Sequence, residues 1–195
     1  SRIKPYKTRS NNIVVLFGDT DVLRFSEYFE SQKKCIEKLN ILITAIEERY
    51  KDSDLYYKPH PSNKGKVMPG IDTRKYNIIA DSQNTQTFLE LHTSRIKAAY
   101  TIFSTSVLWT SFFGIPSYTL YRALYNNDGI KRLNTLFENP SATPPVPLLV
   151  HVTTKKDIGT ADRISLPILS IDLDAVPQAY KKILCIQSQN TAQCI

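Results

Sequence analysis

The chain has 195 residues, of which 42% are hydrophobic and 22% are charged, a composition typical of one globular domain with a sizeable apolar core. Its three cysteines, Cys35, Cys185 and Cys194, are odd in number and too widely spaced for a disulfide framework or a zinc site. A reducing cytoplasm fits these cysteines best. There is no run of 18 apolar residues and no leader with a basic start and an apolar middle, so we expect no membrane span.

The formal net charge of +7 favours negatively charged partners through a long-range field that salt weakens. Nucleic acid, an anionic membrane face, an acidic polysaccharide and a nucleotide sugar all fit this charge. Lysine and arginine are spread along the chain without an aromatic-basic ribonucleoprotein pattern or a basic recognition helix, so we expect no nucleic-acid partner. Peripheral contact with the inner face of the membrane stays open.

Short apolar runs alternate with helical stretches along the chain. This pattern predicts an α/β fold with a Rossmann-like open parallel sheet of about six strands and helices on both faces. The predicted strands cover residues 12–17, 55–58, 77–80, 98–103, 117–121 and 148–152. The basic and polar residues 1–11 are interpreted as a linker remnant of a larger protein, which leaves residues 12–195 as one domain.

Apolar residues at steps of three, four or seven predict a long amphipathic helix from Phe25 to Tyr50, with Ser26 as its cap. Shorter helices are predicted at residues 85–93 and 107–113, the second closed by Gly114. Residues 139–147 are too rich in proline for a helix and are interpreted as a surface connection. A closing helix is expected at residues 176–187.

Ligands of open parallel sheets bind beyond the carboxyl ends of the strands, so the residues just after each strand are the functional candidates. The four groups at these positions are Gly18-Asp19-Thr20, Lys58-Pro59-His60-Pro61, Asp81-Ser82-Gln83-Asn84 and Ser104-Thr105-Ser106. We expect all four groups to face one crevice. Gly18 permits close backbone approach, and Gly18, Asp19 and Thr20 are candidates for contact with a bound ligand.

The segment Ser104-Thr105-Ser106 lies where a strand turns into a helix. Free backbone N–H groups and hydroxyls at such a turn suit a phosphate. An equally good interpretation is that Ser104 or Thr105 only caps the helix.

His60 lies between two prolines, which favour extended backbone and keep the imidazole out of a helix. A protonated imidazole at this position would stabilise, or donate a proton to, a departing phosphate near neutral pH. Lys58, on the same face of the strand, adds a positive charge. The alternative is a solvated loop histidine beside a surface lysine. His92 and His151 lack such neighbours and are predicted to be structural.

No pair of histidines or carboxylates has the spacing of a metal site, so no metal and no cofactor are expected. Charge compensation for a phosphate would then fall to Lys58, His60 and the helix end.

Lys58, His60 and Pro61, followed by Ser104 and Thr105 in YTIFSTS, resemble motifs of bacterial sialyltransferases, polysialyltransferases and related CMP-sugar enzymes of the two-domain GT-B kind. The resemblance implies that the histidine stabilises the leaving CMP and that the hydroxyl pair binds its phosphate. The family places a glutamate on the ribose hydroxyls between these motifs, and Glu90 in TFLEL stands at a fitting position.

The resemblance spans residues 12–121 and implies the donor-binding half of a metal-independent inverting glycosyltransferase. Such an enzyme would use a CMP-activated acidic sugar, sialic acid or a similar one, to build or cap a bacterial surface polysaccharide or lipooligosaccharide. The general base of this family belongs to an amino-terminal domain, and the sequence before the first strand is too short to contain one. We therefore expect the chain alone to bind CMP weakly and to transfer no sugar, with the acceptor glycan bound by that missing domain.

Several alternatives share these features. Kdo transferases of capsule assembly and glycerol-phosphate transferases of teichoic acid synthesis also use a histidine-proline turn and a serine-rich turn, and a nucleotide-sugar epimerase half shares the layered fold but would prefer UDP compounds. A non-catalytic basic module that docks a larger synthase to an anionic surface is supported by the net charge and by Lys64, Lys66, Arg74 and Lys75. The aromatic residues Trp109, Phe112 and Phe113 are predicted to be core.

Overall fold

The computed structural model of the protein describes residues 10–19, 26–63, 66–137 and 149–162. The predictions for most of the linker, for Thr20 and Lys64, and for the proline-rich connection and the closing helix lie outside these residues.

Six parallel strands form one sheet in the order β3-β2-β1-β4-β5-β6. Their bounds are β1 Ile13–Phe17, β2 Asp54–Lys58, β3 Asn77–Ile78, β4 Ile96–Thr101, β5 Ser117–Thr119 and β6 Leu149–His151. This arrangement confirms the predicted Rossmann-like α/β fold. The strand order reverses between β1 and β4, and in open sheets the loops beyond the carboxyl ends at such a reversal form the ligand crevice.

Five α-helices lie among the described residues, together with short 3₁₀ turns. The helices are α1 Gln32–Arg49, α2 Thr85–His92, α3 Ser106–Phe112, α4 Tyr121–Leu124 and α5 Asn127–Phe137. The 3₁₀ turns are Ser26–Tyr28, Pro61–Asn63 and Lys155–Asp157. None of the helices in this described part is long and apolar enough to cross a bilayer.

Apolar side chains cover both faces of the sheet, as the sequence predicts. Every residue of β1 is buried, and alternate side chains point to opposite faces of a strand. Val14 and Leu16 belong to the cluster that contains Ile43 of α1. Val15 and Phe17 belong to the second cluster, which contains residues of α2 and has one residue of α3 packed against it. The central strand is therefore fixed from two sides, which gives the loops at its carboxyl end a rigid base.

The first helix begins later than predicted. Ser31 has extended backbone and its side chain accepts a main-chain N–H bond from the first turn of α1, so the prediction of Ser26 as the cap is wrong. Ser26 instead begins a 3₁₀ turn. Phe29, between the two, is buried against Tyr125 with ring centroids 5.4 Å apart. The apolar periodicity continued across the helix start because Phe29 is buried by this separate contact.

Further boundaries and one side chain differ from the sequence prediction, and the third strand ends at Ile78 instead of at residue 80. The fourth strand begins and ends two residues earlier than expected, and the fifth ends at Thr119 because Tyr121 already begins α4. Gly114, at a φ of 69°, ends α3 in the left-handed region as predicted, a conformation that glycine adopts without strain. Trp109 and Phe113 pack against the core, whereas Phe112 is 37% exposed.

Candidate functional site at the carboxyl edge of the sheet

Lys58 ends β2 and joins it to the end of β3. Only 5% of its surface is exposed, and its Nζ donates hydrogen bonds to the main-chain carbonyls of Ala80 at 3.0 Å and Asp81 at 3.5 Å. Burial lowers the pKa of Lys58, and the nearby Asp81 carboxylate opposes that shift. The ammonium is thus bonded on the β3 side of β2, whereas β1 and β4 lie on the other side.

His60 follows Lys58 and Pro59 and is half-buried. Its Nδ1 accepts the main-chain N–H of Ser62 at 3.2 Å and lies 2.7 Å from the Ser62 hydroxyl. Burial lowers the pKa of the imidazole below its ordinary 6.5. Both features favour the neutral ring with its proton on Nε2. At neutral pH the ring would therefore act as a hydrogen-bond donor through Nε2, rather than as the imidazolium that the sequence suggested.

The segment Pro59–Asn63, called the His60 loop below, is tied to the end of β1. The Asn63 N–H bonds the His60 carbonyl at 2.9 Å and closes a tight turn. The Asn63 side-chain amide donates to the main-chain carbonyl of Asp19 at 2.6 Å. This bond fixes the loop after β2 to the residue that follows β1.

Asp19 is the most buried charged group at this edge, with 1% of its surface exposed. Its Oδ2 accepts the Thr101 hydroxyl at 2.9 Å and the Ile102 N–H at 2.8 Å, and its Oδ1 accepts the Phe103 N–H at 3.0 Å. Burial raises the pKa of this carboxyl to about 6, although the hydrogen bonds that it accepts act in the opposite direction. No cationic side chain within the described ranges forms an ion pair with it.

The residues 101–106, called the hydroxyl turn below, connect β4 to α3. The Ser104 N–H bonds the Thr101 hydroxyl at 3.0 Å, and the Ser104 hydroxyl accepts the Ser106 N–H at 3.3 Å and donates to the Ser106 hydroxyl at 3.2 Å. Ser104 thus bonds the first turn of α3. Thr105 stands at the cap position without a side-chain cap bond and is exposed, so its hydroxyl is open to a ligand.

The expectation of free N–H groups before α3 needs correction. The N–H groups of Ile102 and Phe103 already donate to Asp19, and that of Ser104 donates to Thr101. In addition, α3 has seven residues, so its dipole is small compared with that of a long helix. Contact with a phosphate would therefore rest mainly on the hydroxyls of Ser104, Thr105 and Ser106.

Gly18 lies in a close contact between the ends of β1 and β2. Its N–H bonds the Lys58 carbonyl at 2.7 Å. A Cβ atom at this position would lie 2.5 Å from the Tyr57 hydroxyl oxygen and 3.1 Å from the His60 nitrogen. The close approach that requires glycine is therefore to the protein's own Tyr57 and His60.

Glu90 is exposed on α2, whose inner side carries the buried Phe88 and Leu89. Its carboxylate accepts a bond from Gln86 at 3.0 Å along the helix. Glu90 is thus outside the set of hydrogen bonds that joins the four strand ends.

The two remaining histidines make contacts typical of structural residues. His92 packs against Phe88 with ring centroids 4.7 Å apart, and His151 Nδ1 lies 2.7 Å from the Thr119 hydroxyl. In the part of the chain that the structure describes, no group of three or more histidine, cysteine, aspartate or glutamate side chains could hold a metal ion.

Cations in the loop after His60 are largely paired. Arg74 forms an ion pair with Asp72 at 2.8 Å, and Lys75 forms one with Glu47 at 2.5 Å. Lys66 is exposed. Two of the basic residues that supported a docking surface thus already form ion pairs within the protein.

Sequence reasoning did not single out Asn63 or Thr101, which connect the strand ends to Asp19. One signal was available for Thr101, a hydroxyl residue at the end of the apolar run in β4. No comparable local signal marks Asn63, because its partner Asp19 is 44 residues away.

No protein-family model matches the sequence, and no curated protein is significantly similar to it. The fold itself defines the chain as a Rossmann-like α/β domain. Its candidate site comprises the four loops at the carboxyl edge, among which the His60 loop and the hydroxyl turn both bond Asp19.

Proposed function

We propose that the chain is the donor-binding domain of a metal-independent inverting glycosyltransferase that uses a CMP-activated acidic sugar. Sialic acid and similar sugars belong to this class. The product would be a bacterial surface polysaccharide or lipooligosaccharide, made in the cytoplasm or at the inner face of the membrane.

One observation carries this proposal. The His60 loop and the hydroxyl turn follow β2 and β4, which flank β1, and both are hydrogen-bonded to Asp19 at the end of β1. Neighbouring strands lie about 4.8 Å apart, so the two loops begin about 10 Å from one another across β1. A nucleotide phosphate with its sugar would bridge a gap of that size at the reversal of strand order.

The contacts support the following roles. His60 would donate its Nε2 proton in a hydrogen bond to the phosphate oxygen on which charge grows as CMP leaves. The hydroxyls of Ser104, Thr105 and Ser106 would bind the phosphate, and Pro61 would shape the loop. Lys58 would act from the β3 side, through the field of its buried charge and through the bonds that fix the loop after β3.

Two further parts of the proposal concern the ribose and the acceptor. Glu90 is assigned to the ribose hydroxyls by resemblance, since a carboxylate can accept from two hydroxyls at once. Inverting transfer also needs a base that takes the acceptor proton, and in this proposal a separate domain supplies that base and the acceptor site. The chain alone is therefore expected to bind the donor without transferring sugar.

Calorimetric titration of the chain with CMP, UMP, UDP and inorganic phosphate tests the proposal. The expected result is a clear preference for CMP that is lost in His60→Ala and in Ser104→Ala. His92→Ala is a matched control, because it removes an imidazole that packs on α2 away from the strand ends. Equal affinity for all four ligands, or unchanged CMP affinity in both site variants, would overturn the assignment.

The same titration, extended to CMP-sugars and CDP-glycerol, separates the alternatives. Kdo transferases share CMP as the nucleotide, so the identity of the bound CMP-sugar distinguishes them from sialyltransferases. Glycerol-phosphate transferases would prefer CDP-glycerol, and an epimerase half would prefer UDP. The docking module is less favoured because Arg74 and Lys75 are paired with acidic partners. Binding to acidic vesicles that persists at saturating CMP would favour the docking module instead.

A further inference from the structure

Asp19 contacts both candidate loops, through two different groups. Its carboxylate accepts three hydrogen bonds from Thr101, Ile102 and Phe103. Its main-chain carbonyl accepts the Asn63 amide of the His60 loop. The carboxylate is 1% exposed, so it does not face the crevice as a ligand contact would.

We infer that Asp19 is a positioning residue: its carboxylate orients the hydroxyl turn, and its carbonyl, held in place by that carboxylate, orients the His60 loop. The effect of this positioning on CMP binding rests on the proposed function. It replaces the expectation that Asp19 touches the donor.

The energetic cost of burying a carboxylate also favours a positioning role for Asp19. A buried carboxylate without a cationic partner is unfavourable unless hydrogen bonds compensate it. Two main-chain N–H groups and one hydroxyl donate to Asp19 in good geometry, and bonds to a charged acceptor are stronger than neutral ones. These three bonds attach residues 101–103 of the turn to a single side chain.

A positioning role and a purely electrostatic role predict opposite changes in CMP affinity when the Asp19 carboxylate is removed. The ionised Asp19 carries the same sign of charge as a phosphate in the crevice, so removing that charge would by itself strengthen CMP binding. If Asp19 positions the turn, removing its acceptor atoms weakens binding in spite of the lost repulsion. The direction of the change in affinity thus separates the two roles.

Asp19→Asn and Asp19→Ala give a graded test. Asparagine keeps one acceptor oxygen, which can still receive the Thr101 hydroxyl and the Ile102 N–H, whereas alanine keeps none. We expect CMP affinity to fall at least tenfold in Asp19→Ala and by an intermediate factor in Asp19→Asn. Asp54→Asn is the matched control, because Asp54 is a buried carboxylate at the opposite end of the sheet and its loss should leave CMP affinity within twofold.

A measurement without ligand tests the positioning itself. Hydrogen exchange by NMR should accelerate at the Ile102 and Phe103 amides in Asp19→Ala, and the side-chain amide signal of Asn63 should shift toward that of an exposed asparagine. Equal or tighter CMP binding in both Asp19 variants would overturn the inference. So would an Asn63 signal that stays unchanged while the turn amides exchange faster.

The two hypotheses can fail separately. If the wild-type chain binds no CMP, the proposed function falls, whereas the exchange and Asn63 measurements still decide whether Asp19 couples the two loops. If the wild-type chain binds CMP and the Asp19 variants bind it equally well, the coupling falls and the proposed function stands.

Discussion

Gly18 and the Tyr57 hydroxyl are so close that a Cβ atom on Gly18 would lie 2.5 Å from the hydroxyl oxygen. Tyr57 is fully buried and its hydroxyl also accepts the Met68 N–H at 3.0 Å. The tyrosine therefore has little room to move away from a larger residue at position 18.

We expect Gly18→Ala to lower the free energy of unfolding by roughly 1–3 kcal/mol, as overpacking does in other cores. Adding Tyr57→Phe removes the clashing oxygen, so the double variant should lose less than the sum of the two single changes. Chemical denaturation of the wild type, the two single variants and the double variant measures these free energies of unfolding. Strict additivity would show that the clash is relieved elsewhere.

Substitutions in the hydroxyl turn separate ligand binding from helix capping. Thr105 has an exposed hydroxyl without a cap bond, so Thr105→Val should change the unfolding free energy by less than about 0.5 kcal/mol. The same substitution should reduce CMP affinity, since it removes a hydroxyl that would donate a hydrogen bond to the phosphate. Ser104→Ala should reduce affinity and also cost about 1 kcal/mol of stability, because it loses the bond from the Ser106 N–H. Unaltered CMP affinity in Thr105→Val would remove Thr105 from the site.

The hydrogen bond from the Ser62 N–H to His60 Nδ1 predicts which ring nitrogen carries the proton. NMR of the labelled imidazole should show the Nε2–H tautomer at pH 7, and the titration midpoint should lie below the ordinary 6.5 because burial lowers the pKa. His60→Gln can place an amide donor near the Nε2 position, so it should retain part of the CMP affinity that His60→Ala loses. A ring that is protonated at pH 7 would contradict this prediction.

The buried Asp19 carboxyl predicts a dependence of stability on pH. Its pKa is raised from 3.8 to about 6 by burial, so the folded protein holds this proton more tightly than the unfolded chain. Asp19 therefore destabilises the fold progressively as the pH rises from 4 through 6. Relative to Asp19→Asn, wild-type stability should fall by about 3 kcal/mol at most across this interval. Denaturation of both proteins at pH 4, 5, 6 and 7 measures the difference, and a constant difference would refute the prediction.

The sheet could be predicted from sequence because the strands lie in or beside short apolar runs between polar or glycine-containing segments. The helices were harder to place, since Phe29 extends the apolar pattern beyond the true start of α1. Helix α5 was missed although the Asn126 side chain accepts the Gly129 N–H at 3.0 Å, as a helix cap does. An asparagine followed by apolar residues at helical spacing would have indicated it.

The candidate loops could be predicted from the rule that ligands bind beyond strand ends, whereas the contacts of Asp19 could not. Asp19 and its partners Ile102 and Phe103 are more than 80 residues apart. No local pattern distinguishes a carboxylate that faces a ligand from one that bonds another loop. The state of His60 likewise depends on the hydrogen bond from Ser62, which becomes visible when the folded turn is known.

The two edges of the described sheet are formed by short strands, β3 with two residues and β6 with three. An edge strand exposes unpaired N–H and C=O groups to which a strand of another chain can add. With so few such groups at either edge, the described part of the sheet presents little template for intermolecular β pairing. Self-association through these two described strands would therefore be disfavoured even at high protein concentration.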